Sequence, residues 1–385
     1  IIWTIALPII FGNLAQTLIA LTDTAFLGRV SAVALGASMM AGIYYYIYST
    51  LAWGFAIGIQ IIVARRLGEG RLDRIGVIFE HGLFFVLFLS TGLFLIQHYF
   101  TNDILARIIQ SPNIYAAAVE YMDYRHYGII FVCFNFLFRS LYIGLSDTKV
   151  ISFTTAIMAM VNIFLDYVLI FGKFGVPGLG IAGAAIGSSL AELVSLIFFI
   201  LYTRSRIDIR KYGLDKIPGI RWNILKRMLN VSFWTMVQNF LSLSTWFLLF
   251  LYVEHLGERS LAITNIIRNV SGIMFMVMMA FASTCGSLVS NLIGAGNINC
   301  VPGTIRQHIR IAYAFVLPFA IFFALFPKLI LSVYTDMPEL QEAAVPSLWV
   351  LCSAYLFLVP ANVYFQSVSG TGNTRTALAL EMITL

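Results

Sequence analysis

Val63-Ala-Arg-Arg-Leu-Gly-Glu-Gly-Arg71 occurs a second time, in outline, as Val289-Ser-Asn-Leu-Ile-Gly-Ala-Gly-Asn297. Another pair of segments, Gly144-Leu-Ser-Asp-Thr-Lys149 and Gly370-Thr-Gly-Asn-Thr-Arg375, is separated by the same 226 residues. Internal similarity at a constant offset is the signature of a duplicated structural unit. The chain of 385 residues is therefore predicted to consist of two related halves.

The composition predicts what these halves are made of. Hydrophobic residues form 60% of the chain and charged residues 11%, whereas a soluble domain carries about 25% charged residues. The apolar runs are long enough for spans of about 20 residues. These features indicate an all-α polytopic membrane protein. Helices are predicted at 3–27, 39–63, 76–100, 117–144, 151–172, 178–203, 226–254, 261–293, 305–332, 343–369 and from 376 onward.

The helix count predicts how the two halves are related. Six helices per half is an even number, so both halves enter the membrane in the same sense and form a parallel repeat. We expect an N-terminal bundle of helices one to six at 1–203 and a basic linker at 204–225. A C-terminal bundle of helices seven to eleven follows at 226–385, and it is expected to be truncated within helix eleven.

The basic residues indicate an orientation rather than a nucleic-acid partner. The net charge is +6, and most of the 24 Lys and Arg residues lie in connections that follow even-numbered helices. Cytoplasmic loops are enriched in Lys and Arg. These connections and the N-terminus are therefore predicted to be cytoplasmic, with the bilayer as the surrounding partner and no nucleic acid.

Acidic residues embedded in apolar helices are the strongest functional signal. Asp166 lies in the apolar run 151–171, and Asn162 is one turn earlier on the same face. A charged residue at a helix centre in a membrane costs about 2.5 to 3.5 kcal/mol and usually has a function. Asp23 in helix one and Ser188 in helix six are predicted at a similar depth. Two carboxylates, an amide and a hydroxyl are oxygen groups that suit Na⁺ or a shared proton.

Other readings of the embedded acids stay open. Asp23 and Asp166 could serve only as hydrogen bonders in helix packing. Glu192, one turn from Ser188, could be a proton relay, a counter-charge for substrate, or the partner of a basic residue, and Gln16 is a further candidate for substrate or relay contacts. Because helices seven to ten have no acid far from their ends, ion coupling is expected to fall on the first half.

Four segments together resemble the multidrug and toxic compound extrusion (MATE) family. They come from the predicted helix one, the connection between helices four and five, helix five, and helix six. The segments are Ala6-Leu-Pro-Ile-Ile…Gln16…Thr22-Asp23-Thr-Ala-Phe-Leu-Gly28-Arg29, Gly144-Leu-Ser-Asp-Thr-Lys149, Asn162-x-x-x-Asp166 and Gly183-Ala-Ala-Ile-Gly-Ser188. The likeness extends over the whole chain.

The resemblance implies a V-shaped pair of six-helix bundles and antiport. In this family Na⁺ or H⁺ moves inward while cationic or amphiphilic drugs and toxic compounds are exported by alternating access. The family's cation site maps onto Asp23, Asn162 and Asp166, and its helix six hydroxyl, usually Thr, is Ser188 here. Some members carry a Glu in helix seven where this chain has Ser242, which suggests the DinF-like branch (DNA-damage-inducible protein F) rather than the NorM-like branch.

The resemblance also implies a location and leaves two rivals. The expected location is the bacterial plasma (inner) membrane, with no cofactor beyond the coupling Na⁺ or H⁺. One rival is a flippase of lipid-linked oligosaccharides, since related folds move such cargo. The other is an intramembrane enzyme, but no nucleophile system is recognisable at membrane depth, so the chain is not expected to be an enzyme.

Overall fold

The computed structural model describes residues 2–215, 219–255, 258–334 and 337–384. Within these residues every regular element is a helix, which confirms the all-α prediction. The first half contains α1 (Ile2–Val30), α2 (Ala32–Gly68), α3 (Asp73–Ile108), α4 (Pro112–Arg125), α5 (Gly128–Gly144), α6 (Lys149–Phe171) and α7 (Gly180–Arg206). The second half contains α8 (Trp222–His255), α9 (Glu258–Gly294), α10 (Val301–Leu325), α11 (Pro327–Leu331), α12 (Pro338–Gly370) and α13 (Thr374–Thr384), with a 3₁₀ turn at Ile298–Cys300.

The lengths and apolarity of these helices confirm a polytopic membrane protein. In the described part of the chain, eight helices are long and apolar enough to cross a membrane. The number is nine when α4 and α5 are taken as one broken span, bent by 56° between them. α8 and α13 of the second half pack against each other, and α13 also packs on α12.

Two predicted helices are divided by breaks that the apolar pattern did not reveal. The predicted helix 117–144 is interrupted between Arg125 and Gly128. A Cβ at position 128 would lie 2.2 Å from Arg125 Nη1, so only glycine leaves room for that buried guanidinium at the bend. The predicted helix 305–332 ends at Leu325, because Pro327 has no N–H to continue it and starts α11 instead.

Helix ends also differ from the predicted linker boundaries. α7 continues to Arg206 and α8 begins at Trp222, so both helices extend into the predicted linker 204–225. Residues 216–218 of that linker lie outside the described residues. α2 begins at Ala32 rather than at 39, because the Ser31 side chain accepts a hydrogen bond from the Ala34 N–H at 3.0 Å and caps the helix.

The two halves are joined at one end of the molecule. We call this the basic end, and it carries the connections 69–72, 145–148, 295–300 and 371–373, together with residues 207–215 and 219–221. Thr235 Oγ1 of α8 donates to the Gly54 carbonyl of α2 at 2.6 Å. Ser290 of α9 donates to the Ile61 carbonyl at 2.8 Å. These bonds lie in the part of α2 nearest the basic end, so the halves are closed against each other there.

The repeated sequence of the opening segment lies on this seam. Gly68 and Gly294 are equivalent positions of the repeat, and each packs on the other half. A Cβ on Gly68 would meet the Asn291 carbonyl oxygen at 1.9 Å, and one on Gly294 would meet the Arg65 carbonyl oxygen at 2.2 Å. Each repeat therefore needs glycine at this position for the helix ends to approach.

Candidate functional site

α6 and α7 pack side by side in the first half and place three of the predicted residues together. Asp166 and Asn162 are one turn apart on α6 and are 0% and 1% exposed. Asn162 Nδ2 donates to Ser188 Oγ on α7 at 3.3 Å. Gly187 lies directly against the carboxylate, since a Cβ there would come within 2.2 Å of Asp166 Oδ1. The small residue on α7 thus makes room for the acid on α6.

α1 brings the second carboxyl group to the same place. The side chains of Asp23 and Asp166 lie close enough to each other to interact electrostatically. Two neighbouring carboxylates repel each other, and a shared proton or a bound cation relieves that repulsion. The buried oxygens Asp23 Oδ1, Asp166 Oδ1, Asp166 Oδ2 and Asn162 Oδ1 have no donor among the residues that the structure describes.

These orphaned oxygens define what the cluster can do chemically. Buried polar atoms normally have a partner, and unsatisfied ones call for an explanation. A proton shared by the carboxyl pair satisfies two of the oxygens, and Na⁺ would be held by the oxygens of Asp23, Asp166, Asn162 and Ser188. Both ions fit this donor set.

A buried ion pair lies next to the cluster. Arg125 of α4 donates from Nη2 to Glu192 Oε1 of α7 at 2.6 Å and from Nη1 to Oε2 at 2.9 Å. The Arg125 Cζ atom also lies 4.0 Å from the centre of the Tyr45 ring. The guanidinium is close enough to act electrostatically on both Asp23 and Asp166. The bidentate geometry makes this a strong, oriented pair.

The ion pair bears on the open readings of Glu192. Of the three alternatives, the structure shows the pairing with a basic residue, while relay and substrate roles stay predictions. Gln16 is exposed on α1 and, among the described residues, makes no hydrogen bond to the cluster. Arg125 was not predicted as a site residue, because the positive-inside pattern groups it with the polar connections between helices. In the structure it is only 8% exposed. Its position three residues before Gly128, at the start of an apolar run, was the available signal.

The second half carries a different polar contact. Ser242 of α8 donates to the Glu381 carboxylate of α13. Gln238, one turn before Ser242, is also within hydrogen-bonding reach of Glu381. The expectation that helices seven to ten lack an embedded acid did not cover Glu381, because it lies in the predicted helix eleven. The second half therefore does contain an embedded carboxylate, at a position that the expected asymmetry did not include.

A duplicated helical membrane bundle with ionisable groups buried between its helices defines the class of secondary transporters. The MatE family model matches residues 8–168 and 235–385, one block in each half. The chain belongs to this family, the MATE efflux transporters.

Curated relatives agree with this assignment. A probable multidrug resistance protein NorM of Thermotoga maritima is 28% identical over 388 residues, which cover 99% of this chain and 82% of the relative. A multidrug resistance protein MdtK of Yersinia enterocolitica is 25% identical and covers 88% of this chain and 75% of the relative. The expected closeness to the DinF-like branch receives no support from these names.

Solved structures share the fold. A structure described as the outward-facing conformation of a multidrug resistance MATE family transporter has a TM-score of 0.88 at 21% identity, covering 98% of this chain and 84% of that one. A transporter of the MOP superfamily from Pyrococcus furiosus, described as having a binding pocket of reversed polarity, has a TM-score of 0.88 at 20% identity, with the same coverage. The V-type arrangement of two bundles is thus the fold of this chain.

Proposed function

We propose that this chain is a cation-coupled antiporter that exports cationic or amphiphilic compounds in exchange for Na⁺ or H⁺. The observation that carries the proposal is the pair formed by half-buried Asp23 and fully buried Asp166, with its orphaned oxygens. Two carboxyl groups in contact cannot both stay charged without a cation, so this site has a built-in need for Na⁺ or a proton. The names of the relatives support drug export over the flippase alternative.

The helix that carries Asp23 also links the site to the second half. Thr17 of α1 lies 3.9 Å from Met276 Sδ of α9. Near the basic end, the Trp3 ring packs on Phe281 of α9, with ring centroids 5.8 Å apart. Cation binding that draws α1 toward α6 would therefore change how α1 sits against α9. Alternating access requires that each ligand bind the two arrangements unequally, and this contact offers a route for it.

The distribution of basic residues supports an orientation for the proposed transporter. With the basic end in the cytoplasm, as the positive-inside rule predicts, the halves are closed on the cytoplasmic side. The cluster of Asp23, Asn162, Asp166 and Ser188 then lies toward the outer half of a bacterial plasma membrane. Cations from outside would reach it in this arrangement, while export of substrate would need the seam at the basic end to open.

The test is ethidium efflux from proteoliposomes containing the purified chain. A Na⁺ gradient and a pH gradient are applied in separate experiments, and one of them is expected to drive efflux. Asp23→Asn is expected to abolish the driven component, because the amide cannot share a proton or contribute a negative charge. Asp103→Asn, an exposed acid on α3, is the matched control and should transport like the wild type.

Efflux that is independent of both gradients, or full driven efflux in Asp23→Asn, would contradict the proposal. Protein amount and reconstitution are checked for each variant by immunoblotting of the proteoliposomes. This separates loss of coupling from loss of protein.

A further inference from the structure

A cavity of about 790 Å³ opens at the basic end, on the seam between the two halves. Its walls are the ends of α2 and α3 from the first half and the start of α8 from the second. Thr371 and Gly372, which follow α12, close one side. This cavity lies at the basic end. The acid cluster lies toward the opposite ends of α6 and α7, and the two sites share no residue.

The cavity has a strong excess of positive charge. Five guanidinium groups and two carboxylates line it, which leaves three positive charges. The carboxylates are both engaged, since Glu69 pairs with Arg66 at 2.5 Å and Asp73 with Arg74 at 3.5 Å. The five arginines are Arg65, Arg66, Arg71, Arg74 and Arg227.

Two of the arginines come from opposite sides of the seam. Arg65 Nη2 donates to the Thr371 carbonyl at 2.6 Å and so reaches from the first half to the second. Arg227 comes from α8, is exposed, and has no ion-pair partner among the described residues. The donors therefore surround the opening from both halves instead of forming one surface strip.

The inner wall of the cavity is apolar. It is formed by aliphatic and thioether side chains of α2, α3 and α8, namely Ile61, Ile62, Val77, Ile78, Ile224 and Met228. A free phosphate ion would use the guanidinium rim but would leave this wall exposed to water. An amphiphile with a phosphate headgroup satisfies both parts of the lining, because its chain can cover the apolar wall.

We propose that this cavity binds a phosphate-bearing anion, with the headgroup of an anionic phospholipid as the favoured source. Arginine presents planar, bidentate donors that match phosphate oxygens. Basic pockets between membrane helices, on the side where bases accumulate, are suited to lipid headgroups. The positive-inside rule accounts for bases at this end, but it does not require five guanidiniums around one cavity with an apolar wall.

The position of the cavity gives its ligand a second effect. The anion contacts arginines of both halves only while the seam at the basic end is closed. A ligand shifts a conformational equilibrium toward the state that binds it better. The bound anion therefore favours the arrangement closed at the basic end, independently of which ion drives transport.

The test measures lipid retention on the full chain by native mass spectrometry. Detergent-purified protein is titrated with phosphatidylglycerol and, separately, with phosphatidylcholine. The wild type is expected to bind at least one phosphatidylglycerol in preference. The double variant Arg66→Gln/Arg227→Gln is expected to bind it about 10- to 30-fold more weakly, since each basic residue near the headgroup contributes to attraction. Arg66→Lys/Arg227→Lys should fall between the two.

Arg306→Gln/Arg310→Gln is the matched control, because both arginines are exposed at the start of α10, at the same end but outside the cavity. A second arm titrates inorganic pyrophosphate into protein in phosphatidylcholine nanodiscs. Pyrophosphate binding that the Arg66/Arg227 variant loses, without a preference for phosphatidylglycerol, would support the same site with a soluble anion as its ligand. Equal binding by wild type and variant in both arms, or an equal loss in the control, would overturn the proposal.

Discussion

The two halves use the same pair of helices for their buried acids but give them different partners. In the first half α1 and α6 bring Asp23 and Asp166 together, and in the second the equivalent α8 and α13 bring Ser242 to Glu381. The duplicated backbone thus keeps a polar contact between corresponding helices. The Ser242 hydroxyl donates to a lone carboxylate, whereas two neighbouring carboxyl groups call for a cation or a proton. Under the function proposed above, a symmetric fold holds a charge-binding site in only one of its copies.

The largest effect is expected from Asp166→Asn. The change removes the most buried carboxylate of the cluster while keeping its shape, so the protein should still fold. Gradient-driven ethidium efflux is expected to fall by about 10- to 100-fold, the usual range of a coupling free energy between sites. Initial efflux rates in proteoliposomes measure this. If the variant keeps more than half of the wild-type efflux rate, the first half does not bind the coupling ion.

A large effect on stability, rather than on coupling, is expected from Glu192→Gln. It leaves the Arg125 guanidinium buried without its bidentate partner, a change that costs about 3 to 5 kcal/mol when a buried pair is broken. The thermal unfolding temperature in detergent should fall clearly. The double variant Arg125→Gln/Glu192→Gln should recover part of the loss. If the single variant unfolds like the wild type, the pair is not structural and the relay reading of Glu192 gains ground.

A smaller effect is expected from Gly187→Ala. The added methyl group would lie 2.2 Å from Asp166 Oδ1 and must displace the carboxylate or separate α6 from α7. We expect driven efflux to fall by about tenfold, since small displacements of reacting groups have effects of this order or larger. Gly92→Ala on α3 is the control, because an added Cβ meets nothing within 4 Å there. Similar losses in both variants would point to general helix damage.

The smallest effect is expected from Glu381→Gln. The amide keeps the shape of the side chain and can still accept the hydrogen bond from Ser242, so driven efflux should change by less than about twofold. The same proteoliposome assay measures it, with Asp166→Asn beside it. A loss as large as that of Asp166→Asn would show that the second half also binds the coupling ion, and the expected asymmetry would be wrong.

The distribution of apolar residues was enough to predict most of the helices, though not the breaks within two of them, and the shared face of Asn162 and Asp166. Depth along a helix can be counted from its sequence, and residues four apart share a face. The rotation of one helix relative to another cannot be counted this way. That is why the pairing of Arg125 with Glu192, which depends on how α4 faces α7 after the bend at Gly128, appears only in the structure.

The same limit explains Gly187 and Glu381. Gly187 reads as one of several small residues in Gly183-Ala-Ala-Ile-Gly-Ser188, and only the packing of α7 on α6 shows that it is the one that faces the acid. Glu381 lies seven residues after the start of α13. The sequence predicted a helix here but not which side of it faces α8. Its contact with Ser242 needed the orientation of α13 toward α8.

The packing around Gly68 and Gly294 resembles an interface between two copies of one subunit. Each glycine meets the backbone of the segment that contains the other, so the same patch is used from both sides, as at the two-fold axis of a homodimer. In this protein the two halves belong to one chain, yet they still meet through equivalent patches. Alanine at either glycine is therefore expected to hinder closure at the basic end, and alanine at both should hinder it more, because each added Cβ meets backbone atoms of the other half.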